Sequence, residues 1–198
     1  MSIQNLTEYF IKQALTGEEI ARLVGAPPIP YSNLTKYKRL EDILNHTGKP
    51  YAIILYQISQ FDGHFVMLGV DFMGRPTFGD PYGYTPKYIE DLPILKYDRP
   101  YGDLITPLLE DYARRHNKPI NINTKDFQRK AAGVADCGRI SSLFALFTQH
   151  ATFQEIERLF FSNAVPWLRM DHIATMLTLL SLSNLREYFN KINKLKYN

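Results

Sequence analysis

Tyr51-Ala-Ile-Ile-Leu-Tyr56 and His64-Phe-Val-Met-Leu-Gly-Val70 are the stretches whose reading decides the fold. The first is β-rich and nearly continuous in apolar residues, the pattern of a buried central strand. Phe61-Asp-Gly63 is a turn that delivers the chain into the second. Asp71-Phe-Met-Gly-Arg75 contains a glycine-centred turn, and Pro76–Gly79 begins a third strand. Pro81-Tyr-Gly-Tyr-Thr-Pro86 then reads as a loop.

On either side of this meander the apolar period changes from two to that of a helix. Leu6, Phe10, Ile11 and Leu15 share a helical face, which predicts a helix over Leu6–Leu15. Thr16-Gly-Glu-Glu19 has the form of a capping box opening a helix over Glu18–Val24. Gly25-Ala-Pro-Pro-Ile-Pro30 excludes helix and predicts an extended linker. Helical spacing returns over Asn33–Leu44. Downstream, Leu104–His116 is amphipathic, Ile120-Asn-Ile122 is a short strand, Cys137–Thr148 is a strongly apolar helix, and Thr152–Phe161 and the stretch from Met170 onward read as helices. The expectation is an α+β fold: a small central mixed or antiparallel sheet flanked by N-terminal and C-terminal helices. It is read as one domain over 1–198, with a helical part (1–48), a core (50–150) and C-terminal helices (151–198).

The composition is that of an ordinary soluble domain, with 45% hydrophobic and 22% charged residues. The opening MSIQNLTEYFIKQAL carries Glu8 and Lys12 where a signal peptide would be apolar. The apolar runs near Ala52–Tyr56 and Leu177–Leu182 are far shorter than the roughly 20 residues of a membrane span, so no membrane role and a cytosolic start are expected. With a single cysteine the chain can form neither an intramolecular disulfide nor a cysteine-based zinc site. The net charge of +3 is mild. Its clusters, Lys36, Lys38 and Arg39, then Arg114, Arg115 and Lys118, then Lys191, Lys194 and Lys196, read first as solvated helix faces. Weak DNA or polyanion binding is the minority reading.

Chemistry converges on three segments. In Asp136-Cys137-Gly138-Arg139, Asp136 is placed to cap a helix starting at Cys137, whose positive end favours thiolate over thiol. Gly138 leaves room for a substrate backbone. Arg139 is read as a helix-surface charge with no catalytic role. Among the five histidines, only His64 opens a strand straight after a glycine turn. His46 lies in a loop, His116 sits beside two arginines, and His150 and His172 lie on helical segments. If the strands around His64–Val70 and Pro76–Asp80 pair about the Met73-Gly74 turn, residue 64 falls near residues 80 to 83, which makes Asp80 the acid that orients the ring. Asp71, at the far end of the strand, is rejected. Gln128 is a candidate oxyanion donor beside the Cys137 backbone N–H.

Each residue also has a plainer role open to it. Cys137 would serve as a buried thiol, Asp80 as a turn cap and Phe65 as core. Trp167, Tyr82 and Tyr84 fit core or groove equally.

The order His, acid, Gln, Cys, with Gly63-His64-Phe65, Asp80-Pro-Tyr-Gly-Tyr84, Gln128 and Asp136-Cys137-Gly138, resembles the adenovirus proteinase and its relatives, a clan that includes SUMO-specific proteases. Cys137-Gly-Arg139 is most similar to the group found in virophages, polinton-type elements and large DNA viruses. The resemblance covers about residues 50 to 150. It implies a cysteine endopeptidase with catalytic Cys137, His64, Asp80 and Gln128 and no metal or organic cofactor. The implied substrate is a viral capsid or structural precursor, cut after small residues or glycine. The implied setting is the virion and the infected-host cytoplasm or virus factory, and a monomer is expected. The chain departs from its relatives in two ways: Phe65 stands where tryptophan is common, and the Gln128-to-Cys137 spacing is longer, an excess that a bulge in the loop Arg129–Ala135 would absorb. The activation of the adenovirus enzyme by a disulfide-joined peptide is excluded here. Two alternatives remain: a ubiquitin-like-modifier isopeptidase or acetyltransferase of the same clan, and an inactive homologue serving as a capsid or DNA-binding structural protein.

Overall fold

The stretches read as strands pair with one another, in the order they follow along the chain. The structure is a computed structural model and describes residues 9–58, 63–90, 92, 97–128, 135–161 and 170–182. Strands β1 (Ile29–Pro30), β2 (Tyr51–Gln57), β3 (Gly63–Val70), β4 (Pro76–Gly79) and β5 (Asn121–Ile122) form one sheet in the order β1-β2-β3-β4-β5. The β2–β3 and β3–β4 pairs are antiparallel, whereas the edge strands β1 and β5 run parallel to their neighbours. The sheet is therefore mixed, and with the helices described below the fold is α+β, as the hydrophobic pattern implied. β1 arises within the proline-rich linker. An edge strand tolerates Pro30 because the missing N–H faces no partner strand.

The continuous apolar run of β2 is explained by helices on both sheet faces. Alternate residues Tyr51 and Ile53, with Met67 opposite Ile53, join one core cluster with Ile20, Val24, Ile140, Leu143, Phe144 and Phe153. These come from α1 (Gly17–Val24), α5 (Cys137–Phe147) and α6 (Phe153–Phe161), and α7 (Met170–Leu182) adds Ala174. Ala52, Ile54 and Tyr56, with Val66 and Leu68, face the other cluster. That cluster holds Leu40 and Ile43 of α2 (Leu40–Thr47), Ile89 of α3 (Pro86–Glu90), and Ile105, Leu108 and Leu109 of α4 (Ile105–His116). Side-chain alternation in a strand sends successive residues to opposite faces, and here both faces are covered by apolar clusters.

Local chemistry sets the helix ends. Thr16 and Glu19 form the expected reciprocal capping box, with Glu19 N–H donating to Thr16 Oγ1 (3.2 Å) and Thr16 N–H to Glu19 Oε2 (2.9 Å). Thr152 and Glu155 repeat it ahead of α6. Pro107 sits in the first turn of α4, where no intrahelical N–H bond is lost.

Three expectations are corrected. The helix read over Asn33–Leu44 is a 3-10 turn, Tyr31–Lys36, followed by a separate helix α2. Asp42 breaks the run by accepting the Lys38 and Arg39 backbone N–H groups at 3.1 and 3.0 Å, which starts a new helix there. The loop at residues 81–85 leads into the unforeseen helix α3. Of the helix read over Leu6–Leu15, residues 9–11 are helical and Leu15 is not, while Leu6 lies outside the described residues. Among the described residues no helix is long and apolar enough to cross a membrane.

Phe144 locks the core beneath the site. Its ring meets Phe127 (centroids 4.9 Å apart) and Phe153 (5.3 Å) edge-on, and a Cβ at Gly79 would lie 2.7 Å from it. Phe144→Ala is expected to cost about 3–5 kcal/mol in urea unfolding. A loss under about 1 kcal/mol would show that this site collapses around the cavity.

Candidate active site

His64 enters the site from the start of β3. The register that pairs Met67 with Gly79 carries, if continued, residue 64 opposite residue 82, so the segment after β4 runs past the imidazole. There Asp80 meets it: His64 Nε2 and Asp80 Oδ2 are 2.5 Å apart, with His64 8% exposed and Asp80 fully buried. The other carboxylate oxygen of Asp80 accepts the backbone N–H groups of Tyr82 (2.7 Å) and Tyr84 (3.1 Å). The loop turns tightly at Gly83, whose φ of 71° lies in the left-handed region and whose N–H returns to the Asp80 carbonyl at 2.9 Å. A side chain at Gly83 would strike the Thr124 and Lys125 backbone at 2.9 Å.

Cys137 is the first residue of α5 and is partly exposed. Ser141 on this helix donates to the Phe65 carbonyl at 2.8 Å, tying α5 to β3 one residue beyond His64. Cys137 is close enough to His64 for its charge and hydrogen bonding to act on the imidazole. Since Nε2 is engaged by Asp80, Nδ1 is the ring nitrogen left to serve Cys137. Burial works against a charged ring, but the charge and hydrogen bond of Asp80, and then those of Cys137, outweigh it and raise His64 well above its ordinary 6.5.

A group whose folded value is raised stabilises the fold fully below its unfolded value and loses that contribution as pH climbs through the folded value. The unfolding free-energy difference between wild type and His64→Ala should therefore shrink as pH rises from about 6.5 into the alkaline range. A difference that widens over that interval contradicts the shift.

Gln128 is held beside this loop. Its backbone N–H and that of Phe127 both donate to the Pro81 carbonyl, at 3.0 and 2.8 Å, and Gln128 is 3% exposed. The bulge expected between Gln128 and Cys137 falls at residues 129–134, outside the described residues, as do Trp167 and the lysines at 191, 194 and 196. Asp71, rejected as the orienting acid, is buried in the β3–β4 turn. It accepts from Arg75 Nε at 2.7 Å and from Asn121 at 3.1 Å.

Three local readings around Cys137 are overturned. Asp136 makes no side-chain cap to α5. Its carboxylate instead accepts from Arg139 Nη1 (2.9 Å) and Thr175 Oγ1 (3.1 Å). Arg139 is no surface charge: it is 2% exposed and also donates to the Gln13 carbonyl at 2.6 Å. The i, i+3 spacing of opposite charges was the available signal, and burial makes the pair structural. Gly138 faces Ile20 and Phe65 rather than open space, so its missing side chain admits α1 against α5.

Two further features shape the site. Tyr82, left open between core and groove, lies nearly parallel to His64, with ring centroids 5.3 Å apart and 23° between planes. Burial, then the charges of Cys137 and Asp80, push its phenol up to about 12, so it stays protonated. Tyr84 and Tyr88 extend the aromatic row outward, at 5.7 and 4.7 Å between successive rings. Phe65, also left open, packs partly buried against the α1–α5 core. The second feature is Asn123, 1% exposed, whose side chain bonds both backbone groups of Asp80. No sequence motif marks it.

Among the described residues no three His, Cys, Asp or Glu side chains are grouped to hold a metal ion. The site brings together a thiol, an imidazole and a carboxylate in a chain of contacts, an arrangement able to move a proton from sulfur to ring while the acid fixes the tautomer. No family model, no curated protein and no solved structure matches this chain.

Proposed function

We propose that this chain is a cysteine endopeptidase. The observation that carries the reading is the single imidazole of His64, bonded through Nε2 to buried Asp80, with Cys137 near enough to act on the same ring. In the reaction, His64 Nδ1 takes the thiol proton and the sulfur attacks the scissile carbonyl carbon. The C–N bond then breaks as His64 returns the proton to the leaving amine. Water, deprotonated by the same ring, hydrolyses the thioester and restores the thiol. Asp80 stabilises the imidazolium each time it forms. The Cys137 backbone N–H and the Gln128 side-chain amide are the proposed donors to the oxyanion.

The resemblance to the adenovirus-proteinase clan adds the substrate: viral structural precursors cut after small residues, glycine above all, in the virion or the infected cell. Incubating the chain with glycine-rich protein precursors and, separately, with a ubiquitin-like fusion, then mapping new N-termini by mass spectrometry, tests it. Cuts after glycine in the precursors, absent with Cys137→Ala, are expected. Cuts confined to the fusion would move the reading to the modifier isopeptidase, and no cuts in either at pH about 6 to 8 would sink the enzyme.

A further inference from the structure

We propose that Asn123 is a positioning residue for His64: by gripping the backbone of Asp80 it fixes where the Asp80 carboxylate meets the imidazole. The last register pairs of β4 and β5 are Thr77 with Asn121 and Phe78 with Ile122. Asp80 lies beyond the end of this ladder and is fully buried, so its backbone groups need partners that the strands do not provide. The Asn123 amide supplies the acceptor for the N–H and joins the Gly83 N–H (2.9 Å) on the carbonyl. Its Oδ1 accepts the Asp80 N–H at 2.7 Å, and its Nδ2 donates to the Asp80 carbonyl at 2.8 Å and to the Lys125 carbonyl at 3.2 Å. A carboxamide is the side chain that presents one acceptor and two donors on a short planar group. Aspartate would set oxygen against oxygen at the Asp80 carbonyl, and serine spans too little to meet both groups.

This grip matters because only two rotatable bonds separate the Asp80 backbone from its carboxylate. Oδ1 is already committed to the Tyr82 and Tyr84 N–H groups. With the backbone held by Asn123 and one oxygen held by the loop, the remaining oxygen has a single place to be, against His64 Nε2. Without Asn123 only the Gly83 N–H, itself part of the loop, holds the Asp80 backbone, and the carboxylate can follow the loop away from the ring.

The inference rests on reading Asp80 as the group that stabilises the charged form of His64, but not on peptide cleavage, so the test reads the imidazole itself. The protonation midpoint of His64 is measured by NMR in wild type, Asn123→Ala, Asp80→Ala and the double variant, with circular dichroism to verify folding. Asn123→Ala should lower the midpoint by at least about one pH unit, a tenfold change in the protonation equilibrium. In the Asp80→Ala background the same substitution should leave it unmoved, because the charge it positioned is gone. A merely structural asparagine would lower melting temperature in both backgrounds without moving the midpoint. Should Asn123→Ala not fold, Asn123→Ser gives the same reading, since it stays neutral and loses at least one of the two bonds. An unchanged His64 midpoint in a folded Asn123 variant overturns the proposal, as does an equal shift with and without Asp80. If the midpoint depends on Asn123 and Asp80 but no peptide is cut, the positioning role stands and the protease reading falls.

Discussion

Cys137→Ala is expected to abolish peptide hydrolysis while leaving the fold intact, with kcat falling roughly a millionfold, the order seen when a triad enzyme loses its nucleophile. The fold should survive because Cys137 is only partly buried at the first turn of α5. What anchors that helix lies further along it: Ile140, Leu143 and Phe144 in the core, Ser141 on the Phe65 carbonyl, and Arg139 on Asp136 and Gln13. Activity and structure are thus separable at this residue. Urea unfolding of Cys137→Ala should shift by less than about 1 kcal/mol, and any hydrolysis it retains above trace levels would assign the nucleophile elsewhere.

Asp80→Asn should be nearly as damaging, for a reason set by the loop. The Tyr82 and Tyr84 N–H groups both donate to Asp80 Oδ1, so an asparagine must turn its own oxygen toward them. Its amide NH2 then takes the place of Oδ2 and points at His64 Nε2. Nε2 is forced to accept, the ring proton moves to Nδ1, and the nitrogen facing Cys137 can no longer take a proton. Loss of the Asp80 charge also lowers the His64 pKa. Holding a triad histidine in the wrong tautomer costs on the order of 10⁴ in kcat in serine proteases, and a similar fall is expected here with KM little changed. Asp80→Asn retaining more than about a tenth of wild-type kcat would remove Asp80 from the mechanism.

The sheet was legible because its signals are local and redundant. The apolar runs Tyr51–Tyr56 and Phe65–Val70 and the glycine turn at Gly74 point to an antiparallel pairing, and that register brings residue 64 to the segment that begins at Asp80. Burial of particular polar groups was not legible. A single arginine on a helix reads as a surface charge until Asp136, Thr175 and the Gln13 carbonyl are seen around its end of α5. Asn123 was missed for a similar reason, since its partners are backbone groups 43 residues away and backbone groups carry no side-chain signature. Gly138 reads as room for a substrate backbone, whereas a Cβ there would meet Ile20 of α1 at 3.0 Å and Phe65 at 3.4 Å. Where Asn33–Leu44 was read as one helix, hydrophobic spacing continued across a break that the Asp42 hydrogen bonds impose.

The most direct test of a thiol and imidazole acting as one unit is the labelling rate of Cys137 with iodoacetamide, in wild type and His64→Ala, across pH about 5 to 9. The chain has a single cysteine, so the rate belongs to one group. Labelling at pH about 6 that outruns free cysteine, and that falls at least about tenfold in His64→Ala, is the expected result. Labelling that rises only near the unperturbed thiol value of about 8.5, with the same profile in both proteins, would contradict it.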